Sequence, residues 1–159
     1  MCNKLAEIRA FRALDERLGT AGQPTAAQFR AVREAGYATV INLALPSSTG
    51  ALTDEGGVVT GLGMSYFHIP VDFQAPTALD FQAFCRVMEI FEGRPVFVHC
   101  AANMRVSAFV FLYRVLRQGL NRELAERDLQ AVWQPDEVWQ SFMAGQLNNR
   151  SPGQPSATA

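Results

Sequence analysis

Residues 95–116 read PVFVHCAANMRVSAFVFLYRVL, and the order of apolar and polar residues in this segment is the most informative feature of the chain for its fold. Its first five residues are mostly apolar and include two valines, which is typical of a buried strand. Residues 106–116 are strongly apolar over the length of a helix. The residues between these segments, 100–105, are too few to form another element. The stretch therefore predicts a buried strand, a tight loop and a buried helix in immediate succession.

Segments of strand length alternate with segments of helical period on both sides of this stretch. Further strands are predicted at 11–14, 17–21, 37–45 and 64–71, and further helices at 25–36, 77–93, 121–133 and 135–147. Thr25 and Thr77 are suitable N-caps, and Pro135 is expected at the first position of the last helix. Five glycines between positions 50 and 63 argue against a helix in that segment.

This alternation predicts a single α/β domain over residues 1–150, with a four- to five-stranded, largely parallel sheet flanked by helices. A chain of 159 residues has the length of one such domain. Residues 151–159 contain no large apolar side chain, so we expect a disordered C-terminal tail there.

Composition excludes several classes of partner. A net charge of −1 provides no field that would attract nucleic acid or an anionic membrane surface. The three cysteines have neither disulfide nor metal-ligand spacing, which favours a reducing compartment and hence the cytoplasm. No apolar run approaches the roughly 18 residues of a membrane span, and no signal peptide is recognisable. With two histidines and no acidic cluster, we expect no metal site and no cofactor.

The loop from Cys100 to Arg105 is the predicted site of anion binding and catalysis. A turn from a central strand into a helix directs backbone N–H groups into one concavity, and the helix N-terminus adds partial positive charge. The same dipoles stabilise a cysteine as the thiolate. The guanidinium of Arg105 is a planar fork that can hold two phosphoryl oxygens. The predicted phosphate-binding residues are therefore Ala101, Ala102, Asn103, Met104 and Arg105.

The His-Cys pair at 99–100, the small loop residues, Arg105 and Ser107 resemble the phosphate-binding signature of protein tyrosine and dual-specificity phosphatases. GQPT at 22–25, TVINL at 39–43 and YFHIPV at 66–71 are similar to a bacterial group of phosphatase-like domains, some of them found with beta-lactamase-like hydrolases. The resemblance covers roughly residues 12–120. It implies a hydrolase of phosphate monoesters in which the Cys100 thiolate takes the phosphoryl group and water then hydrolyses the phosphocysteine.

The loop departs from the eukaryotic signature, because four residues instead of five separate Cys100 from Arg105. Asn103 replaces the usual central glycine and is able to adopt the left-handed conformation. Ser107 keeps the family spacing from Cys100, and the resemblance implies that its hydroxyl assists departure of the thiolate. The shorter loop also resembles that of rhodanese-like sulfurtransferases, in which the cysteine carries a persulfide. A non-catalytic phosphate-binding module is a third alternative.

Protonation of the leaving group requires a carboxylic acid across the cleft. Asp72 lies in a predicted loop near the position of the general acid in dual-specificity phosphatases, and Asp80 competes with it but is also suited to the first turn of a helix. His99 is expected to support the loop through a structural hydrogen bond, and Cys85 to be a core residue. The predicted substrate is a phosphorylated protein or a small phosphoester.

Overall fold

The computed structural model describes residues 3–149, and it has a five-stranded sheet with helices on both faces. The strands are β1 (Arg12–Ala13), β2 (Leu18–Ala21), β3 (Thr39–Asn42), β4 (Ser65–His68) and β5 (Val96–His99). The helices are α1 (Ala26–Glu34), α2 (Glu55–Gly61), α3 (Ala78–Ile90), α4 (Met104–Leu116), α5 (Arg122–Gln130) and α6 (Glu137–Asn148), after a short 3-10 helix at Lys4–Glu7.

The strand order is β1-β2-β5-β3-β4, and only the β1–β2 pair is antiparallel. Strand β5 is central: His99 pairs with Ala21 of β2 on one side and with Asn42 of β3 on the other. All four residues of β5 are buried, as expected for a strand of a parallel sheet that is covered on both faces. The loops that follow β2, β3, β4 and β5 therefore meet at one edge of the sheet. The predicted α/β fold class is confirmed.

Two apolar clusters hold the helices on the sheet. Helices α1 and α2 pack on one face, where Phe29 and Val59 join Phe97 of β5. Helices α3 to α6 cover the other face, where Phe84, Phe109 and Trp139 are fully buried or nearly so. Helix α4 is the most deeply embedded helix, because nine of its thirteen residues are buried. The loop that precedes α4 is therefore fixed on both sides by core elements.

Helix α2 corrects the expectation that the glycines at 50–63 prevent a helix. The Asp54 side chain caps α2 by accepting from the Gly57 N–H at 3.0 Å, and Val59 is buried. A Cβ at Gly57 would overlap the Asp54 carboxylate, so glycine here permits the cap. The N-cap and the buried side chain offset the low helix propensity of glycine.

The start of α6 is a smaller correction. The sequence predicts Pro135 at the first helical position, but Asp136 is the N-cap and α6 begins at Glu137. The predicted tail, 151–159, lies outside the described residues. Within residues 3–149, no helix is long and apolar enough to cross a membrane.

Candidate active site

The loop at residues 100–105 connects the central strand β5 to the N-terminus of α4. Cys100 follows the last residue of β5, and its side chain is enclosed, with the residue 1% exposed. Arg105 is in the first turn of α4 and is 5% exposed. An arginine so completely removed from water at a helix N-terminus is unfavourable unless an anion or oxygen acceptors compensate its charge. The geometry thus places a thiol and a buried cation at the positive end of a helix.

The segment after β2 supports this loop from one side. The Gln23 N–H donates to the Ala101 carbonyl at 3.2 Å, and Gly22 and Ala102 form an isolated antiparallel bridge. A Cβ at Gly22 would lie 2.8 Å from the Ala101 carbonyl oxygen, which is closer than real side chains approach. Glycine is therefore required at position 22 by the close passage of the two backbones.

Asn103 has a left-handed backbone, with φ of +64°, as its place in the loop predicts. Its side-chain amide donates to the Ala10 carbonyl at 2.9 Å and to the Thr20 hydroxyl at 3.1 Å. Ala10 is the other non-glycine residue with positive φ in the described chain, at +52°. The two unfavourable backbone conformations are therefore joined by a hydrogen bond, and each helps to hold the other in place.

Arg105 connects two further loops at the same edge of the sheet. Its Nη1 donates to the Val71 carbonyl at 2.8 Å, and its Nη2 donates to Ser48 Oγ at 3.3 Å. Its Nε is buried and has no hydrogen-bond partner. Because a buried donor without an acceptor costs about 1–3 kcal/mol, this N–H is the position at which a bound oxyanion would gain most.

Asp72 directly follows the residue that Arg105 holds. It is exposed, and its carboxylate accepts from the Gln74 N–H at 2.9 Å. The next residue is anchored as well: the Phe73 carbonyl accepts from Trp139 Nε1 at 2.9 Å, and the Phe73 ring packs against Trp133 and Trp139. Asp72 is thus a solvent-accessible acid between two fixed residues.

Asp80 and Ser107 have other hydrogen-bond partners in this structure. Asp80 and Thr77 form a reciprocal capping box at the start of α3, which is the structural role considered for Asp80 from the sequence. The Ser107 hydroxyl donates to the Met104 carbonyl at 2.9 Å and accepts from Trp133 Nε1 at 3.1 Å. Within residues 3–149, no hydrogen bond is found between Ser107 and the Cys100 sulfur.

His99 is fully buried beneath the loop. Its Nδ1 lies 3.3 Å from the Cys100 carbonyl oxygen, so the structural contact expected of this histidine is present. Its Nε2 lies 2.7 Å from Glu55 Oε2. Burial raises the pKa of Glu55, but hydrogen bonds from His99, Gln23 and Tyr66 and the charge of His99 outweigh it, so that the pKa lies below its ordinary value.

Glu55, Gln23 and Ser48 are site residues that the sequence analysis missed. Glu55 belongs to the helix that the glycines concealed, although an Asp-Glu pair at 54–55 is itself a recognisable helix start. Gln23 is part of the GQPT segment, and its amide donates to Glu55 Oε1 at 2.6 Å. Ser48 carries no local signal, because its contact with Arg105 spans 57 positions of sequence.

Cys85 is a core residue of α3, as predicted. It is 1% exposed, and burial raises the pKa of its thiol to about 11. In the described part of the chain, no group of three or more histidine, cysteine, aspartate or glutamate side chains has an arrangement that could hold a metal ion.

Comparison with models of known protein families gives a match over most of the chain. The family model described as "DSP-PTPase phosphatase fused to NAD+ Kinase" matches residues 9–144. The chain belongs to this phosphatase family. The sequence-based resemblance to protein tyrosine and dual-specificity phosphatases, which are phosphoric monoester hydrolases, is therefore confirmed. The matched range includes every residue of the loop at 100–105 and its supporting contacts from position 10 onward.

Curated relatives of this phosphatase domain are named beta-lactamase hydrolase-like proteins. The chain is 34% identical to the protein from Agrobacterium fabrum over 127 residues, which are 77% of this chain and 28% of that protein. Identity to the Xylella fastidiosa protein is 30% over 117 residues, 71% of this chain and 27% of that protein. The chain thus spans between a quarter and a third of the length of these relatives.

Solved structures share the phosphatase fold. A DUF442 protein from Shewanella putrefaciens superimposes with a TM-score of 0.82 and 37% identity, covering 93% of this chain and 97% of that one. Tk-PTP in its active form superimposes with a TM-score of 0.74 at 17% identity, over 89% and 98% of the two chains. P. aeruginosa TpbA in complex with phosphotyrosine has a TM-score of 0.60 and 16% identity, over 87% and 90%.

Proposed function

We propose that this phosphatase domain hydrolyses phosphate monoesters through a phosphocysteine formed on Cys100. The thiolate attacks phosphorus and the bond to the leaving oxygen breaks, while that oxygen takes a proton from Asp72. Water then attacks the phosphocysteine and gives a proton to the Asp72 carboxylate; the S–P bond breaks, which releases inorganic phosphate and restores both the thiolate and the protonated acid. The single observation that carries the proposal is the buried Arg105, whose unpartnered Nε lies in the same short loop and first helical turn as Cys100.

Stabilisation of the transferring phosphoryl group is assigned to the loop. The N–H groups of residues 101–105 and the N-terminus of α4 supply fixed dipoles, and Arg105 supplies the charged fork. The contacts of Arg105 with Val71 and Ser48 support this role, because they fix the plane of the guanidinium before substrate arrives. A donor set that is already oriented needs little reorganisation when charge develops on the phosphoryl oxygens.

The acid assignment to Asp72 is supported by its anchored neighbours. Val71 is held by Arg105 and Phe73 by Trp139, so the backbone that carries the exposed Asp72 carboxylate is anchored on both sides, next to a residue that Arg105 contacts. Ser107 is proposed to assist departure of the thiolate. That role requires its hydroxyl hydrogen to turn from the Met104 carbonyl toward sulfur, while Trp133 continues to donate to the oxygen.

The experiment is hydrolysis of para-nitrophenyl phosphate by the wild type, Cys100→Ser, Asp72→Asn and the control Asp80→Asn. We expect turnover by the wild type and Asp80→Asn and none by Cys100→Ser. Asp72→Asn should lose about 10²–10⁴-fold in kcat on an ester with a poor leaving group and much less on para-nitrophenyl phosphate. Absence of wild-type turnover between about pH 5 and 8, the range over which general acids and bases commonly operate, would contradict the enzyme proposal. Equal rates for Asp72→Asn and wild type on the poor leaving group would remove only the acid assignment.

The two alternatives are separated by different readouts. The four-residue spacing between Cys100 and Arg105 motivates a rhodanese-like sulfurtransferase, which would release thiocyanate from thiosulfate and cyanide and leave a persulfide on Cys100. A non-catalytic module would bind a phosphopeptide without turnover. The substrate is proposed to be a phosphorylated protein or a small phosphoester. We also propose a cytoplasmic location in a bacterium, on the basis of the cysteine usage and the bacterial relatives.

A further inference from the structure

The imidazole of His99 lies between two groups that accept hydrogen bonds. The Cys100 carbonyl is 3.3 Å from Nδ1, and a carbonyl oxygen has no hydrogen to give, so Nδ1 is the donor in that contact. On the opposite side, Glu55 Oε2 is 2.7 Å from Nε2. Whether His99 is neutral or cationic therefore depends on the state of Glu55, because an ionised carboxylate also requires a donor at Nε2.

The surroundings of Glu55 favour its ionised form. Gln23 Nε2 donates to Oε1 at 2.6 Å, and the orientation of this amide is fixed because Nε2 also donates to the Pro24 carbonyl at 3.0 Å. The Tyr66 hydroxyl accepts from Asn42 Nδ2 at 3.0 Å, and its interaction with Glu55 also lowers the pKa of that carboxyl. A carboxylate that receives several donors is held in the charged state, and the pKa of Glu55 is lowered accordingly.

We propose that Glu55 is a positioning residue that keeps His99 protonated on both ring nitrogens. The resulting positive charge lies directly beneath the loop and favours ionisation of the Cys100 sulfur. Burial makes this interaction effective, because Glu55 and His99 are 5% and 0% exposed and water does not screen the pair. The inference rests on the proposed function, since it concerns the same sulfur, but it can be tested without turnover.

The direction in which replacement of Glu55 changes the ionisation of Cys100 distinguishes this proposal from a direct effect of the Glu55 charge. If His99 were neutral, loss of the Glu55 charge would remove a nearby anion and make ionisation of Cys100 easier. If Glu55 holds His99 as a cation, its replacement by glutamine leaves a neutral imidazole and makes ionisation harder. The titratable residues that interact with this pair are Tyr66 on β4, which faces Glu55, and Cys100 after β5, whose carbonyl meets His99; the Phe29 and Phe97 rings pack against the imidazole.

The first test measures ionisation of Cys100 directly. Far-ultraviolet thiolate absorbance is titrated with pH for the wild type and for Glu55→Gln, and the titration of the corresponding Cys100→Ser protein is subtracted from each. We expect the midpoint in Glu55→Gln to be about one pH unit higher, a tenfold loss of thiolate below the midpoint. The control Asp54→Asn removes an adjacent exposed charge and retains an N-cap, so its midpoint should not rise. An unchanged or lower midpoint in Glu55→Gln would overturn the proposal.

A second measurement guards against a folding defect. Nitrogen NMR of the His99 ring should show two protonated nitrogens in the wild type and one in Glu55→Gln, provided that both proteins melt cooperatively. His99→Asn should raise the thiolate midpoint as Glu55→Gln does, and the double variant should show no further rise, because both changes act through the same charge. Additive shifts, or a wild-type ring with one protonated nitrogen, would contradict the proposed role. If the wild type fails to turn over phosphoesters but these shifts occur, the proposed function fails and the role of Glu55 stands.

Discussion

Replacement of Arg105 by lysine tests whether the guanidinium fork is needed for catalysis. Lysine keeps the positive charge at the start of α4 but provides no planar pair of donors. In the structure, Nη1 donates to the Val71 carbonyl and Nη2 uses one of its two hydrogens for Ser48, which leaves Nε and the second Nη2 hydrogen as donors for two phosphoryl oxygens. A lysine ammonium cannot donate a hydrogen bond to the Val71 carbonyl and to two phosphoryl oxygens in the same planar arrangement.

The magnitude follows from the hydrogen bonds that are lost. Each charge-assisted hydrogen bond to a phosphoryl oxygen contributes about 1.5–3 kcal/mol. Loss of two such bonds in the transition state corresponds to about 3–6 kcal/mol, or roughly a 10²–10⁴-fold decrease in kcat/KM. Inhibition by inorganic phosphate should weaken as well, because the same donors hold the product.

The assay is para-nitrophenyl phosphate hydrolysis at several substrate concentrations, with thermal unfolding measured on the same preparations. Arg114→Lys is the matched control on α4: its guanidinium is also largely buried, at 11% exposure, but pairs with Asp128 at 2.6 Å. We expect this control to retain activity. A kcat/KM for Arg105→Lys within about threefold of the wild type, a difference below 1 kcal/mol, would refute the assignment of the phosphoryl clamp.

Three further predictions concern pH and stability. The pKa of Glu55 in the folded protein is below the ordinary value of about 4.3, so its ionised form stabilises the fold above that pH. This contribution is lost as the pH falls through the folded value. In denaturant titrations, the free energy of unfolding of Glu55→Gln should therefore decrease less at acid pH than that of the wild type. Cys85, with a thiol pKa of about 11, should resist maleimide at neutral pH in mass spectrometry of the native protein and react after unfolding. Gly57→Ala should lower the free energy of unfolding by about 1 kcal/mol through loss of the Asp54 cap, whereas Gly61→Ala, where a Cβ meets no atom, should raise it by about 0.5 kcal/mol.

Each of these has a clear contrary outcome. Parallel acid declines for the wild type and Glu55→Gln would mean that the carboxylate gains no net stability from its partners. Rapid maleimide modification of Cys85 in the folded protein would contradict its burial in the core. If both glycine variants change stability in the same direction, the overlap with Asp54 is not what requires glycine at position 57.

The fold could be predicted from the sequence wherever local signals and the apolar pattern agree. The segment from Val96 to Leu116 is mostly apolar outside its loop, and it forms the central strand and the embedded helix as expected. Thr25 and Thr77 cap their helices with full capping boxes. These features depend on residues within a few positions of one another, which a single sequence displays.

The missed features depend on distant contacts. Helix α2 forms because Asp54 caps it and Val59 reaches a core built by α1 and β5, and neither effect is visible in the composition of a glycine-rich segment. The sequence predicts an acid at Asp72, a nucleophile at Cys100 and a phosphoryl clamp at Arg105, and these roles stay predictions. It did not indicate that Ser48 contacts the arginine or that Trp139 fixes the backbone at Phe73.

The hydrogen bond from Asn103 to Ala10 has a consequence for any shortened version of this protein. A fragment that begins after Ala10 would retain every strand and every predicted catalytic side chain, yet the Asn103 amide would lose one of its two acceptors. The left-handed conformation of Asn103 would then be supported by one hydrogen bond fewer, and we expect the loop to relax away from the shape proposed to bind phosphate. The residues ahead of the first strand therefore help to set the shape of the loop at 100–105, although none of them is a predicted catalytic residue.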